Sequence, residues 1–242
     1  MRQSYCQMLI AVDVQYAELA VVTAAVGFID WSDPTSTLEC VCRAKVTPEP
    51  YEPGAFYKRE LPFLLEAVAL VERRHPVEAV VIDGHVWLRE GQPGLGARLH
   101  EALGARMAVI GVAKAAFARG SAVPALRGDS SRPLFVTAAG MNAHRAAELV
   151  RGMHGPHRVP TLLKRTDQLA RGHATPDPVK APYGQMAYSG GHLAGIAGST
   201  ARRPEPSGPS ATRSVPGHGE LSGGRRDQAR GPGEPVRHRG EK

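Results

Sequence analysis

Apolar residues come in short blocks along the first 172 positions, and the blocks switch between two periods. "QMLIAVDVQY" (7–16) is a continuous apolar run with Asp13 inside it, the pattern of a strand buried on both faces. "ELAVVTAAVGFI" (18–29) and "STLECVCRAKV" (36–46) predict two more strands, joined through the turn-rich "DWSDPTS". Three strands with short connections predict an antiparallel meander. The period then changes. In "KRELPFLLEAVALVERR" (58–74) the apolar residues Leu61, Leu64, Leu65, Val68 and Val71 fall at helical spacing. "EAVVIDG" (78–84) is a wholly apolar strand ending in Asp83, followed by a glycine-rich loop and a helix over 95–104. "MAVIGVAK" (107–114) and "RPLFVTAAG" (132–140) predict strands, and "NAHRAAELVRGMH" and "PTLLKRTDQLARG" predict two closing helices. Strands followed by strand–helix alternation predict an α/β fold: a mixed sheet, three antiparallel strands followed by parallel strands, with helices on its faces.

Composition changes the picture only beyond residue 172. Residues 173–242 hold 13 of the 27 glycines and 9 of the 20 prolines, with few aliphatic clusters. Such a segment cannot bury enough apolar surface to offset its ordering entropy, so two regions are expected: a folded domain over 1–172 and a disordered tail over 173–242. The net charge of +7 divides between them, since the tail carries 10 Lys and Arg against 6 acids. Mild positivity suits a nucleic-acid partner without requiring one. Cys6, Cys40 and Cys42 are odd in number and lack metal-ligand spacing, which fits reduced thiols better than a disulfide framework. No apolar stretch approaches the roughly 18–20 residues of a membrane span, and the N-terminus lacks a signal pattern. A soluble, cytoplasmic protein acting as a monomer, without a membrane partner, is expected.

The chemistry lies in the acids. An ionised carboxylate is seldom buried without a partner, yet Asp13 and Asp83 each sit at or beside the end of an apolar strand. If those strands are neighbours, the two carboxylates meet at one sheet edge, and Glu60 at the start of the intervening helix can join them. Three acids together repel one another unless a divalent cation neutralises them. Oxygen-only ligation points to Mg²⁺, with Mn²⁺ as substitute. Lys114 ends a later strand and can direct a positive charge at a phosphate. The combination suits metal-assisted phosphodiester hydrolysis. A stiff stretch stands beside it: "PYEPGAFYKRE" (50–60) brackets Tyr51 between two prolines.

"VDV", "PYEPG" followed by "FYKRE", "VIDGH" and "IGVAK" stand in the order and approximate spacing of the endonuclease V family, the deoxyinosine 3′-endonucleases with a ribonuclease H-like fold. "RPLFVTAAG" and "HRVPTLLKRTDQLARG" resemble its last strand and helix, so the likeness covers about residues 8–172. The resemblance implies that Asp13, Asp83 and Glu60 hold the metal and that Lys114 is catalytic. It implies that Tyr51 is a wedge that opens the duplex, and that Gly54, Phe56 and Gly84 border the pocket for the extruded hypoxanthine. The implied substrate is inosine-containing DNA cut at the second phosphodiester on the 3′ side, in repair. Cleavage of inosine in single-stranded RNA and metal-free binding by a non-catalytic homologue stand as alternatives. Some positions depart from the family pattern. Met141 replaces a common histidine, and His144 lies three residues further on. Val86 replaces a glycine and is expected to narrow the pocket, "REGQPG" replaces a basic stretch, and Glu52 replaces the wedge isoleucine.

Overall fold

Met8–Ala17 (β1) turns back into Ala20–Phe28 (β2), which turns into Leu38–Ala44 (β3), each pairing antiparallel with the one before. The structure is a computed structural model that describes residues 7–17, 20–45, 56–177 and 185–188, with the backbone alone at Phe56 and 185–188. Helix α1 (Phe56–Glu72) follows, two residues earlier than its periodicity predicts, and buries Leu64, Val68 and Val71. The chain then enters β4 (Val77–Asp83), which lies parallel to β1, with Val12 opposite Ile82. Helix α2 (Leu95–Ala102) leads into β7 (Ala108–Ala113), parallel to β4 with Asp83 opposite Val112. Strand β9 (Leu134–Ala139) returns antiparallel to β7, so the parallel set is β1, β4 and β7. Helices α3 (Ala143–Gly152) and α4 (Thr161–Ala170) complete the fold.

Three features escape the hydrophobic pattern. A hairpin of β5 (Trp87–Arg89) and β6 (Gln92–Pro93) occupies part of the glycine-rich loop. Strand β8 (Val123–Ala125) pairs with β9 at the sheet edge, where Pro124 and its missing N–H are tolerated. Elements of two or three residues are too short to show a period. Strand β10 (Gln185–Tyr188) pairs parallel with β3 at the other edge, giving the order β10-β3-β2-β1-β4-β7-β9-β8. The fold therefore runs past Gly172, where the composition expects disorder. Its local cause is Glu39 on β3, only 2 % exposed, which accepts hydrogen bonds from Arg165, Ser36 and the Asp177 N–H. Arg165 also donates to the Thr175 carbonyl, so the segment after α4 is tied down twice. All described residues belong to one unit, 1–200. Among them no helix is long and apolar enough to cross a membrane.

Alternation along the strands sorts side chains into two layers. Ile10, Val12, Val80, Ile82 and Val109 face α1 and α2, while Leu9, Ala11, Ala79, Val81, Ile110 and Val112 face α3 and α4. Helices thus cover both faces. Cys40 and Cys42 are buried and not joined in a disulfide, with sulfurs 3.6 Å apart on the α1 side. Gly111 permits a close crossing, since a Cβ there would lie 2.6 Å from the Gly84 carbonyl oxygen and 2.8 Å from the Val86 nitrogen. The loop leaving β4 passes over β7 at that point, and the Val86 N–H donates to Thr137 Oγ1 at 2.7 Å. Gly111→Ala should cost about 1–3 kcal/mol, as overpacking does, readable as a lowered urea midpoint at unchanged slope. A midpoint equal to wild type would contradict this packing.

Candidate active site

The odd positions of β1 and β4 place Asp13 and Asp83 on the same face as Ala11 and Val81, toward α4. The register makes them neighbours, since Val12 stands opposite Ile82 in the parallel pair. Lys114, one residue beyond β7, approaches them closely, and its Nζ lies 3.3 Å from Asp83 Oδ2. Two acids and a lysine therefore gather at the carboxyl ends of three adjacent parallel strands. Open α/β sheets bind ligands at such ends.

A cleft of about 340 Å³ opens there, between the sheet and the 157–167 segment. Its floor is apolar (Ala11, Val81, Val112) and its far wall is basic, with Arg158 and Lys164. Asp167, on α4, also lines it. Asp13 Oδ1 accepts the Val14 N–H at 2.9 Å, while Oδ2 is buried without a partner among the described residues. Burial, then the nearby Asp83 and Asp167 charges, push the Asp13 carboxyl up to about 6. Burial, then Asp13 and Asp83, push Glu60 up to about 8. Glu60, in the first turns of α1, thus feels the charges of both aspartates.

Whether these acids suit a cation depends on how closely they approach. Among the described residues no group of three or more carboxylate, imidazole or thiol side chains is gathered closely enough to hold a metal. A three-carboxylate cage is therefore not preformed. A hydrated divalent cation is nevertheless compatible, because Mg²⁺ takes one or two carboxylates and completes its shell with water and phosphate. The orphaned Asp13 Oδ2 and the two carboxyls pushed upward by burial and uncompensated negative charge are what such an ion would relieve.

A pH dependence follows. Both carboxyls bind protons more tightly folded than unfolded, so the metal-free protein should lose stability as pH rises from about 4 to about 8. The loss should amount to roughly 2–4 kcal/mol, at about 1.4 kcal/mol per pH unit of displacement with allowance for partial exposure. Added Mg²⁺ should raise the melting temperature more at pH 8 than at pH 5. Equal stabilisation at the two pH values would argue against cation binding by these acids.

Gly84 has φ +125 and open space where a side chain would project, as close approach of a ligand to backbone requires. Tyr51, Glu52 and Gly54 lie outside the described residues, and Phe56 opens α1. Val86 does not narrow a pocket: it is fully buried in the α1–α2 layer, against Gly96. Met141 packs against the α3–α4 layer, so the histidine position brings no proton-transfer group. His144 is exposed on α3, its N–H bonded to the capping Asn142 side chain at 2.9 Å. His85 ties the β4 loop to the segment after Lys114, through its Nε2 and the Ala115 carbonyl at 3.0 Å. Asp167 is the acid that sequence reasoning leaves unassigned. It falls between Leu163 and Ala170 at helical spacing, an acid at the edge of an apolar stripe, and Arg171 Nε holds it at 2.8 Å.

The fold is one that known proteins share. No curated protein matches the sequence. Among solved structures, human endonuclease V is similar at TM-score 0.57 and 22% identity, covering 69% of this chain and 84% of that one. Endonuclease V of Streptomyces avermitilis is similar at TM-score 0.54 and 26% identity, over 70% and 82% of the two chains. Endonuclease V of Ciona intestinalis, in complex with a DNA containing an inosine followed by a ribo-adenosine, gives TM-score 0.56 at 18% identity over 69% and 85%. The family model described as Endonuclease V matches residues 1–149, a span that includes β1, α1, β4 and β7 with Asp13, Glu60, Asp83 and Lys114. With that match over more than half its length, the chain belongs to the endonuclease V family.

Proposed function

We propose that this protein is a divalent-metal-dependent endonuclease that recognises inosine in DNA and cuts the second phosphodiester on its 3′ side, in repair. The observation that carries the reading is the alignment of Asp13 and Asp83 on one face of adjacent parallel strands, with Lys114 3.3 Å from Asp83. Asp13 and Asp83 would hold Mg²⁺, or Mn²⁺ in its place, through carboxylate oxygens. The bound cation supplies charge neutralisation at the phosphate and a more acidic water. Glu60 orients the attacking water from the α1 side, and Lys114 directs its ammonium at the scissile phosphate. Lys164 on the opposite wall attracts flanking phosphates. Tyr51 wedges the duplex while Gly54, Phe56 and Gly84 border the extruded base, whose unstacking costs a few kcal/mol. The catalytic domain is taken to run from the N-terminus beyond residue 172, through the segment pinned by Glu39.

Cleavage of a labelled inosine duplex with Mg²⁺, Mn²⁺ or EDTA tests this, beside the same sequence with inosine in single-stranded RNA. The Ciona relative, whose bound DNA carries a ribonucleotide after the inosine, supports including ribose in the comparison. Metal-independent binding without cutting would instead favour a non-catalytic homologue, the reading that Met141 at the usual histidine position motivates.

A further inference from the structure

Two arginines, Arg127 behind the cleft and Arg158 in its wall, spend their guanidinium groups on main-chain carbonyls rather than on metal or substrate. Arg127, just after β8, is only 7 % exposed. Its Nη1 donates to the carbonyls of His157 at 2.7 Å and Arg158 at 3.5 Å, and its Nη2 to those of Met153 and of Gly155 at 3.3 Å. Burial alone lowers its pKa, with no carboxylate opposing. A guanidinium spent on four main-chain carbonyls of one loop fixes that loop's path. Gly128 presses on the same loop, for a Cβ there would lie 2.0 Å from the Pro156 carbonyl oxygen.

The loop leads to Arg158, which reaches the strand that carries Lys114. The β7–β9 ladder stops at the pair Ala113 and Phe135. Immediately beyond it, Arg158 Nη2 donates both to the Lys114 carbonyl and, at 2.8 Å, to the Pro133 carbonyl. One side chain thus fastens the two strand ends where backbone pairing runs out.

We infer that Arg127 and Arg158 form a relay of positioning residues that holds Lys114 in place against Asp83. The relay rests on the proposed role of Lys114 in phosphodiester cleavage. It requires the planar fork of arginine, which lysine cannot reproduce despite its charge. Arg158 itself need not touch the reacting atoms.

The deciding experiment uses the full chain carrying Arg158→Lys, Arg127→Lys, Lys114→Ala and the Arg158→Lys/Lys114→Ala double substitution. Arg158→Lys should slow single-turnover cleavage of the inosine substrate roughly 10- to 100-fold, as misplacement of a catalytic group does, with substrate affinity within about twofold of wild type. On the Lys114→Ala background the same substitution should have almost no further effect. Independently of activity, amide hydrogen exchange at residues 114–118 should quicken at least about tenfold in Arg158→Lys, while β1 and β4 keep wild-type protection. Should Arg127→Lys fail to fold, Arg158→Lys decides alone. Unchanged exchange at 114–118, or additive losses that track affinity, would overturn the relay. If wild type cuts no inosine substrate, the functional reading fails, and the exchange measurement still decides whether the relay exists.

Discussion

Asp83→Asn should reduce cleavage by roughly 10²- to 10³-fold or more while leaving the metal-free protein at least as stable as wild type at pH 8. The two halves have one cause. Asp83 adds negative charge beside Asp13 and Glu60 and helps push both carboxyls up, to about 6 and about 8. Removing that charge lets both carboxyls ionise more easily in the folded protein, and so reduces the stability lost as pH rises above about 4. The loss of the Lys114 pair costs little in return, since both side chains are about half exposed and such pairs contribute about 0–1 kcal/mol. Under the proposed function, activity would fall because the cation would lose a ligand and Lys114 would lose the carboxylate 3.3 Å from its ammonium. Thermal melts in EDTA, run beside single-turnover cleavage in Mg²⁺, separate the two effects. A variant that loses activity only in proportion to lost stability would show Asp83 to be structural.

The second large effect lies away from the cleft. Glu39→Ala should destabilise the fold by about 3–5 kcal/mol, the cost of removing one partner from a buried ion pair. Burial opposes the Glu39 charge, but the Arg165 guanidinium, the Asp177 N–H and the Ser36 hydroxyl together hold its pKa below the ordinary value. Without it, Arg165 keeps a partly buried charge facing an apolar strand, and α4 loses its main polar tie to β3. Because α4 carries Asp167 and Lys164 into the cleft, activity should fall with stability here, the reverse of Asp83→Asn. Urea unfolding checks the magnitude. A loss well below that range would mean that apolar packing of Leu162 and Leu169 suffices to hold α4.

Residues with strong periodicity were legible from sequence. The apolar runs around Asp13 and Asp83 specified buried strands, and parallel pairing with matching parity brought both acids to one face. Lys114 followed from its place one residue past a third parallel strand. What stayed illegible depends on packing rather than period. Val86 was expected to narrow a pocket beside Asp83, but it packs with Val80 and Ile82 in the layer opposite the face that carries Asp83. Asp167 carries no sequence signal of its own, because nothing in its segment shows that α4 lies over β1. Arg127 and Arg158 bond to main-chain carbonyls, which leave no complementary residue type for a sequence to reveal. The strand at 185–188 was hidden by the composition around it.

The most direct test of the central claim is one cleavage assay with the full-length chain on a duplex containing a single inosine, with adenosine in its place as control. Cutting at the second phosphodiester 3′ to inosine, present with Mg²⁺, absent in EDTA and lost in Asp83→Asn, is the predicted result. Folded protein that leaves the inosine strand intact in both Mg²⁺ and Mn²⁺, or cuts it equally well after Asp83→Asn, would contradict the account.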